Sequence, residues 1–214
     1  AVDNEFAQYQ NEISLEQALD SPPIATPLHL YDACPITDGA SAVLLVSEEY
    51  ARDNGIEAPV SITGSGQGGD HLALQDRQQM AQTPATEAAA AEAYADAEIT
   101  ADDIDFAEVH DCFTIAEVLA IEGLGLFEPG AGIAAAREDK TTADGEVPIN
   151  LSGGLKAKGH PVGATGGSQI AEITRLLRGD HPNSDAVEDG TVGVAHNAGG
   201  TVASAVVHVL EVDQ

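Results

Sequence analysis

The sequence predicts an α/β layered fold, with helices lying on the faces of a sheet. Apolar runs of strand length alternate with runs of helix length, glycine and proline punctuate them, and the chemistry-bearing motifs fall where strands end. The 214 residues suffice for one large domain or two small ones with a real core. A hydrophobic fraction of 43% is that of a folded protein and argues against disorder.

Taken in order, Ser14-Leu-Glu-Gln17 reads as a capping box opening a short helix, which Ser21-Pro-Pro23 ends because proline cannot continue it. Asp38-Gly39 leads into Ala40–Val46, an apolar run suited to a strand buried on both faces. Ser47–Asn54 reads as a helix stopped by Gly55, and Pro59–Thr63 as a strand. Gly64-Ser-Gly-Gln-Gly-Gly69 looks superficially like a dinucleotide fingerprint. No clear helix follows it, so the expectation is a turn between strands rather than a Rossmann unit. Thr86–Ala97 is helical by its alanine content, and Thr100 caps a turn over residues 101–103. Ile104–His110 is strand-like and Thr114–Gly123 helical, while residues 128–148 read as a surface excursion. A helix over Ser168–Leu177 and an acidic loop over 180–190 follow. Two closing strands, Thr191–Ala195 and Val202–Leu210, flank His196-Asn-Ala-Gly-Gly-Thr201 as their turn.

Charge narrows the function classes. With 36 Asp and Glu against 8 Lys and Arg, the net charge is −28, and such a surface repels nucleic acid and anionic membranes. Acidity of this degree needs salt to screen self-repulsion, which suggests a high-salt cytoplasm. No apolar run is long enough to span a bilayer. Cys34 and Cys112 make neither a disulfide framework nor a metal cluster. A start at Ala1, with no initiator Met and no signal peptide, suggests a processed, cleaved or truncated polypeptide.

Three motifs carry chemistry. Gly153-Gly-Leu-Lys-Ala-Lys-Gly-His160-Pro-Val-Gly-Ala-Thr-Gly166 packs five glycines around one histidine and opens onto a helix, whose N-terminus favours anions. His110-Asp-Cys-Phe113 adds a histidine and a thiol, and His196-Asn-Ala-Gly-Gly-Thr201 adds backbone N–H groups at a turn. A thiol for proton transfer, imidazole N–H donors and backbone amides suit thioester chemistry with an oxyanion hole. The same residues also fit a glycine-rich connection, a small buried cysteine and a histidine bonded to nearby backbone. His29, His71, His181 and His208 read as surface or edge residues. Lys156 and Lys158 fit either contacts to phosphate groups or solvent-facing loop positions.

These motifs resemble those of the C-terminal half of a thiolase, an acetyl-CoA C-acyltransferase, and more narrowly of the sterol-carrier-protein-2 type found in archaea. The Gly-Gly pair leading to Gly-His-Pro and Gly-Ala-Thr-Gly is the specific signal. His110-Asp-Cys-Phe113 stands where other thiolases carry Asn-Glu-Ala-Phe, and His196-Asn-Ala-Gly-Gly departs from their Cys-x-Gly-Gly-Gly. Asp32-Ala-Cys-Pro-Ile-Thr-Asp-Gly-Ala40 is similar to the strand completing the first thiolase core domain. The resemblance covers nearly the whole chain. It implies a layered α-β-α core, with residues 1–58 ending the loop region and N-terminal core and 59–214 forming the C-terminal core.

The resemblance also implies roles. His160 binds the thioester oxygen, and His110 replaces the Asn that holds the water of the same oxyanion hole. Cys112 is the acid/base in place of the cysteine whose position Asn197 occupies, and the N–H of Gly199 serves the second oxyanion hole. Gly159, Ser152, Asn197 and His196 line the substrate site. Coenzyme A thioester is substrate, and no metal or redox cofactor is implied. The nucleophilic cysteine of thiolases belongs to an N-terminal half, and neither cysteine here fits it, so this chain alone should not turn over. Implied partners are that half, a second copy in a dimer or tetramer, and an OB-fold acyl-CoA-binding subunit. The alternatives are a non-catalytic acyl-CoA-binding scaffold and a related condensing enzyme such as hydroxymethylglutaryl-CoA synthase.

Overall fold

The computed structural model describes residues 1–212. The chain opens with α1 (Leu15–Leu19), capped by the Ser14–Gln17 box, and a small hairpin of β1 (Pro23–Ala25) and β2 (Leu28–His29). Next comes α2 (Glu48–Asn54), which starts at the Ser47 cap and ends on Gly55 in the left-handed region. The main domain contains β3 (Val60–Gly69), α3 (Pro84–Ala97), β4 (Phe106–Glu108), α4 (Thr114–Gly123), α5 (Gly132–Arg137), α6 (Gly154–Ala157), α7 (Thr165–Leu177), β5 (Val192–Gly199) and β6 (Ser204–Val212). Its sheet runs β3-β6-β5-β4, antiparallel except for the parallel β5–β4 pair.

Two apolar clusters sandwich the sheet. Ala85, Ala89 and Ala93 of α3, with Ile121 and Leu124 at the end of α4, pack on Val194, Val207 and Val209. On the other face Ile173, Leu176 and Leu177 of α7 pack with Phe106 and Leu210. The expected α-β-α layering is present.

The glycine run from 64 to 69 is strand, not turn. An ideal Cβ on Gly64, Gly66 or Gly68 would stand 2.0, 2.0 and 1.9 Å from the carbonyl oxygens of Ala93, Ala89 and Ala85. Two strand residues rise about 6.7 Å and four helical residues about 6 Å, so alternate glycines meet every fourth alanine as α3 runs back along β3. The glycines are there for close approach of a helix, which is also why no nucleotide loop forms.

Two other expectations are corrected. Ala40–Val46 is no buried strand: Leu44 is 89% and Leu45 69% exposed, because no strand among the described residues lies beside it to complete a ladder. His196-Asn-Ala-Gly199 continues β5 instead of turning, and the reversal falls at residues 200–203. The 128–148 excursion lies mostly exposed, as expected, and holds the short α5, with Gly132 and Ala135 buried. No helix among the described residues is long and apolar enough to cross a membrane.

Candidate active site

The site gathers where β4 and β5 end beside the first turn of α7. His110 and Cys112 follow shortly after β4, Asn197 and Gly199 lie among the last residues of strand β5, and Gly159 and His160 sit in the loop before α7. The rings of His110 and His160 stand edge to face with centroids 4.9 Å apart, although 50 residues separate them in sequence. His160 pairs in a bridge with Ile36, and its backbone N–H donates to Thr37 Oγ1 at 3.2 Å. Its Nδ1 lies 2.7 Å from Thr165 Oγ1.

His110 is held from two sides. Its Nδ1 is 3.1 Å from Asn197 Oδ1, and its backbone N–H donates to His196 Nδ1 at 3.4 Å. That bond places the proton of His196 on Nε2, which faces Thr86 Oγ1 at 3.0 Å. His196 is sealed, so it supports His110 from behind instead of lining the substrate cleft as expected. Ser152 is likewise sealed: its N–H and its hydroxyl both donate to the Glu108 carboxylate, at 2.8 and 2.5 Å. Neither side chain is placed to meet a substrate.

Burial sets the electrostatics. It pushes the pKa of His110 down to about 4, with a further push from His160 and an opposing bond to Asn197, and that of His196 to about 3. Burial also lowers His160, so at neutral pH these imidazoles are uncharged hydrogen-bonding groups. The Cys112 thiol is raised by burial, then by Cys34 and Asp111, and is protonated at rest. Beneath it Asp111, which accepts the Leu155 N–H at 2.6 Å, is pushed up to about 7 by burial and by Glu117.

Several framework residues gave no signal in the sequence. Cys34 donates its N–H to the Cys112 carbonyl at 2.9 Å across a short antiparallel bridge, so the two cysteines are neighbours. Thr37 and Thr86 each bond a histidine, over contacts that no local pattern announces. Lys158 is buried, with its Nζ donating to Ser168 Oγ at 3.0 Å, which overturns a solvent-facing position; Lys156 Nζ donates to the Tyr31 carbonyl. His181 is also buried, 3.1 Å from Glu172, contrary to its expected place on the surface. Beside Asn197 opens a cavity of ≈ 510 Å³, bordered by Val43, Leu45, Val162, Gln169 and His208.

The family described as thiolase C-terminal domain-like matches residues 66–212. The chain belongs to this thiolase family. An acetyl-CoA acetyltransferase of Methanothermobacter thermautotrophicus is 44% identical over 98% of this chain and 54% of the relative. The benzoylsuccinyl-CoA thiolase subunit BbsB of Thauera aromatica is 35% identical over 94% and 52%, and sterol carrier protein 2 of Oryctolagus cuniculus 36% identical over 93% and 37%. The chain thus spans about half the length of the acetyltransferase and the thiolase subunit, and less of the sterol carrier protein. Among solved structures, an Ltp2-ChsH2(DUF35) aldolase matches with TM-score 0.83 and 27% identity, over 100% of this chain and 56% of that one. Human mitochondrial 3-ketoacyl-CoA thiolase matches with TM-score 0.68 at 19% identity, over 96% and 44%, and bears on the fold alone.

Proposed function

We propose that this chain is the C-terminal portion of an acyl-CoA acyltransferase that cleaves 3-ketoacyl-CoA thiolytically or runs the reverse Claisen condensation. The observation that carries the reading is the convergence of His110, His160 and Asn197, from three separate segments, beside the first turn of α7, with Cys112 two residues beyond His110. In this scheme a cysteine outside these 214 residues takes the acyl group. Cys112 gives and receives the proton that moves at the second acyl-CoA or at the CoA thiol. His160 donates N–H to the thioester oxygen, and the Gly199 N–H serves the acyl-cysteine oxygen. Being neutral, the imidazoles donate hydrogen bonds without protonating the nucleophile.

Residues 1–58 are assigned to the loop region and the end of the N-terminal core, and 59–214 to the C-terminal core; Asp213 and Gln214 lie outside the described residues. The partner that completes the site is the N-terminal thiolase half, for which the exposed Val43–Val46 segment offers an unpaired edge. Assembly beside an OB-fold acyl-CoA-binding subunit fits the DUF35 component named in the structural neighbour, and assembly as a dimer or tetramer belongs to the same proposal. A net charge of −28 fits a salt-rich cytoplasm.

A second reading, aldol-type carbon–carbon cleavage on a CoA thioester, is suggested by the aldolase named in the structural neighbour that is 27% identical over the whole of this chain. The two separate on free CoA, which thiolysis consumes and an aldol cleavage does not. With the full-length polypeptide and 3-ketoacyl-CoA, Cys112→Ala should lower kcat by roughly 10²–10⁴-fold and His160→Ala by roughly 10²–10³-fold. Full thiolase activity in Cys112→Ala would remove Cys112 from the mechanism, and CoA-independent cleavage of a 3-hydroxyacyl-CoA into a carbonyl compound and a shorter acyl-CoA would favour the second reading.

A further inference from the structure

We infer that Asn197 is a positioning residue that fixes the tautomer of His110, keeping the proton on Nδ1 and turning the Nε2 lone pair toward the site. The inference rests on the thiolase reading for what the two rings do, but the tautomers themselves can be read without turnover.

The geometry begins with Asn197 Oδ1, 3.1 Å from His110 Nδ1. An amide oxygen only accepts, so the hydrogen between them belongs to the ring nitrogen. The first turn of α7 lies close on the other side of the amide, where a Cβ at position 166 would stand 3.0 Å from Asn197 Nδ2. The backbone of His110 is fixed independently, through its N–H to His196 Nδ1, so the ring is anchored at both ends. His110 Nε2 has no hydrogen-bond partner among the described residues and is not among the sealed unpartnered atoms, so it is the nitrogen left to meet a ligand.

His160 meets a hydroxyl instead: Thr165 Oγ1 lies 2.7 Å from His160 Nδ1 and 3.2 Å from the Pro161 carbonyl, and its one hydrogen serves one of the two. In the thiolase reading a thioester oxygen takes the His160 N–H directly. A water that donates one O–H to His110 Nε2 can aim its other O–H at the same oxygen. An amide at position 197 cannot move protons at neutral pH, and holding a tautomer is a task it performs without moving any.

The test is a long-range proton–nitrogen spectrum of this chain labelled with ¹⁵N-histidine at pH 7, with the two rings assigned by their loss in His110→Gln and His160→Gln. The expected result is an Nδ1–H pattern for His110. Asn197→Leu should convert His110 to the Nε2–H form that free imidazole prefers, and Asn197→Asp should restore Nδ1–H. An Nε2–H pattern for His110 in the unaltered chain would overturn the inference, as would an unchanged pattern in Asn197→Leu. Should Asn197→Leu not fold, the unaltered chain and Asn197→Asp still decide. Failure of the thiolase reading would show differently, as absent thiolysis by the full-length protein with the tautomer pattern intact.

Discussion

The two faces of the sheet are built by opposite rules. The face under α3 is made of small residues in backbone contact: Gly64, Gly66 and Gly68 lie against Ala85, Ala89 and Ala93, and the three alanines are fully sealed. The side carrying α7 and the motif loops holds buried ionisable groups, including Glu108, Asp111 and Lys158, and borders the cavity beside Asn197. The first face closes the core, and its one link to the site is the sealed His196, held between Thr86 of α3 and the His110 backbone. The second carries groups that a core would exclude, which is where chemistry is expected. The difference separates residues whose only role is packing from those that serve the site.

The comparison breaks most sharply at Gly66. Gly66→Val places a side chain 2.0 Å from the Ala89 carbonyl, with no flexible neighbour to yield, and should destabilise by about 3 kcal/mol or more, read as a loss of the urea midpoint. A drop below about 1 kcal/mol would show that α3 is free to move away and that the closed face is not rigid.

Asp111 sharpens it. Its folded pKa of about 7 lies above the ordinary 3.8, so the folded state holds the proton longer than the unfolded one, and stability is lost as pH rises from about 4 to 7. Asp111→Asn removes that loss. The variant should gain on the unaltered chain between pH 4 and pH 8 by roughly 2–4 kcal/mol, in denaturant titrations at the two pH values. His110 and His196 act oppositely over the same range. Their folded pKa values of about 4 and 3 lie below 6.5, so their contribution is present above pH 6.5 and fades as pH falls toward those values. A flat difference between Asp111→Asn and the unaltered chain would remove the buried carboxyl from the account. The smallest effect is expected at Leu44, 89% exposed, where Leu44→Ser should change the stability of this chain by no more than about 0.5 kcal/mol.

What was legible in the sequence was local. The Ser14–Gln17 box, α2 between Ser47 and Gly55, and α4 over Thr114–Gly123 lie where capping residues and helix formers place them. The Gly-His-Pro loop and His-Asp-Cys-Phe stood out because they concentrate unusual residues in short runs. What escaped depended on distant partners. A glycine says nothing of whether it bends or admits a helix, so 64–69 read as a turn. Ala40–Val46 has the composition of a buried strand, yet composition cannot supply the neighbour that buries it. Asn-Ala-Gly-Gly reads as a turn, and only pairing with β6 shows it as strand. Thr86 meets His196 across 110 residues through a contact no motif encodes, and Ser152, expected at the substrate, is spent on Glu108.

The most direct test of the central claim is exchange of the acetyl protons of acetyl-CoA with deuterated water, followed by proton NMR on the full-length polypeptide. The account predicts exchange catalysed by the unaltered protein, abolished in Cys112→Ala and slowed by at least roughly 10²-fold in His160→Ala. Exchange that persists undiminished in Cys112→Ala would mean that another group handles the α-proton, and the assignment of Cys112 as the acid/base would be wrong.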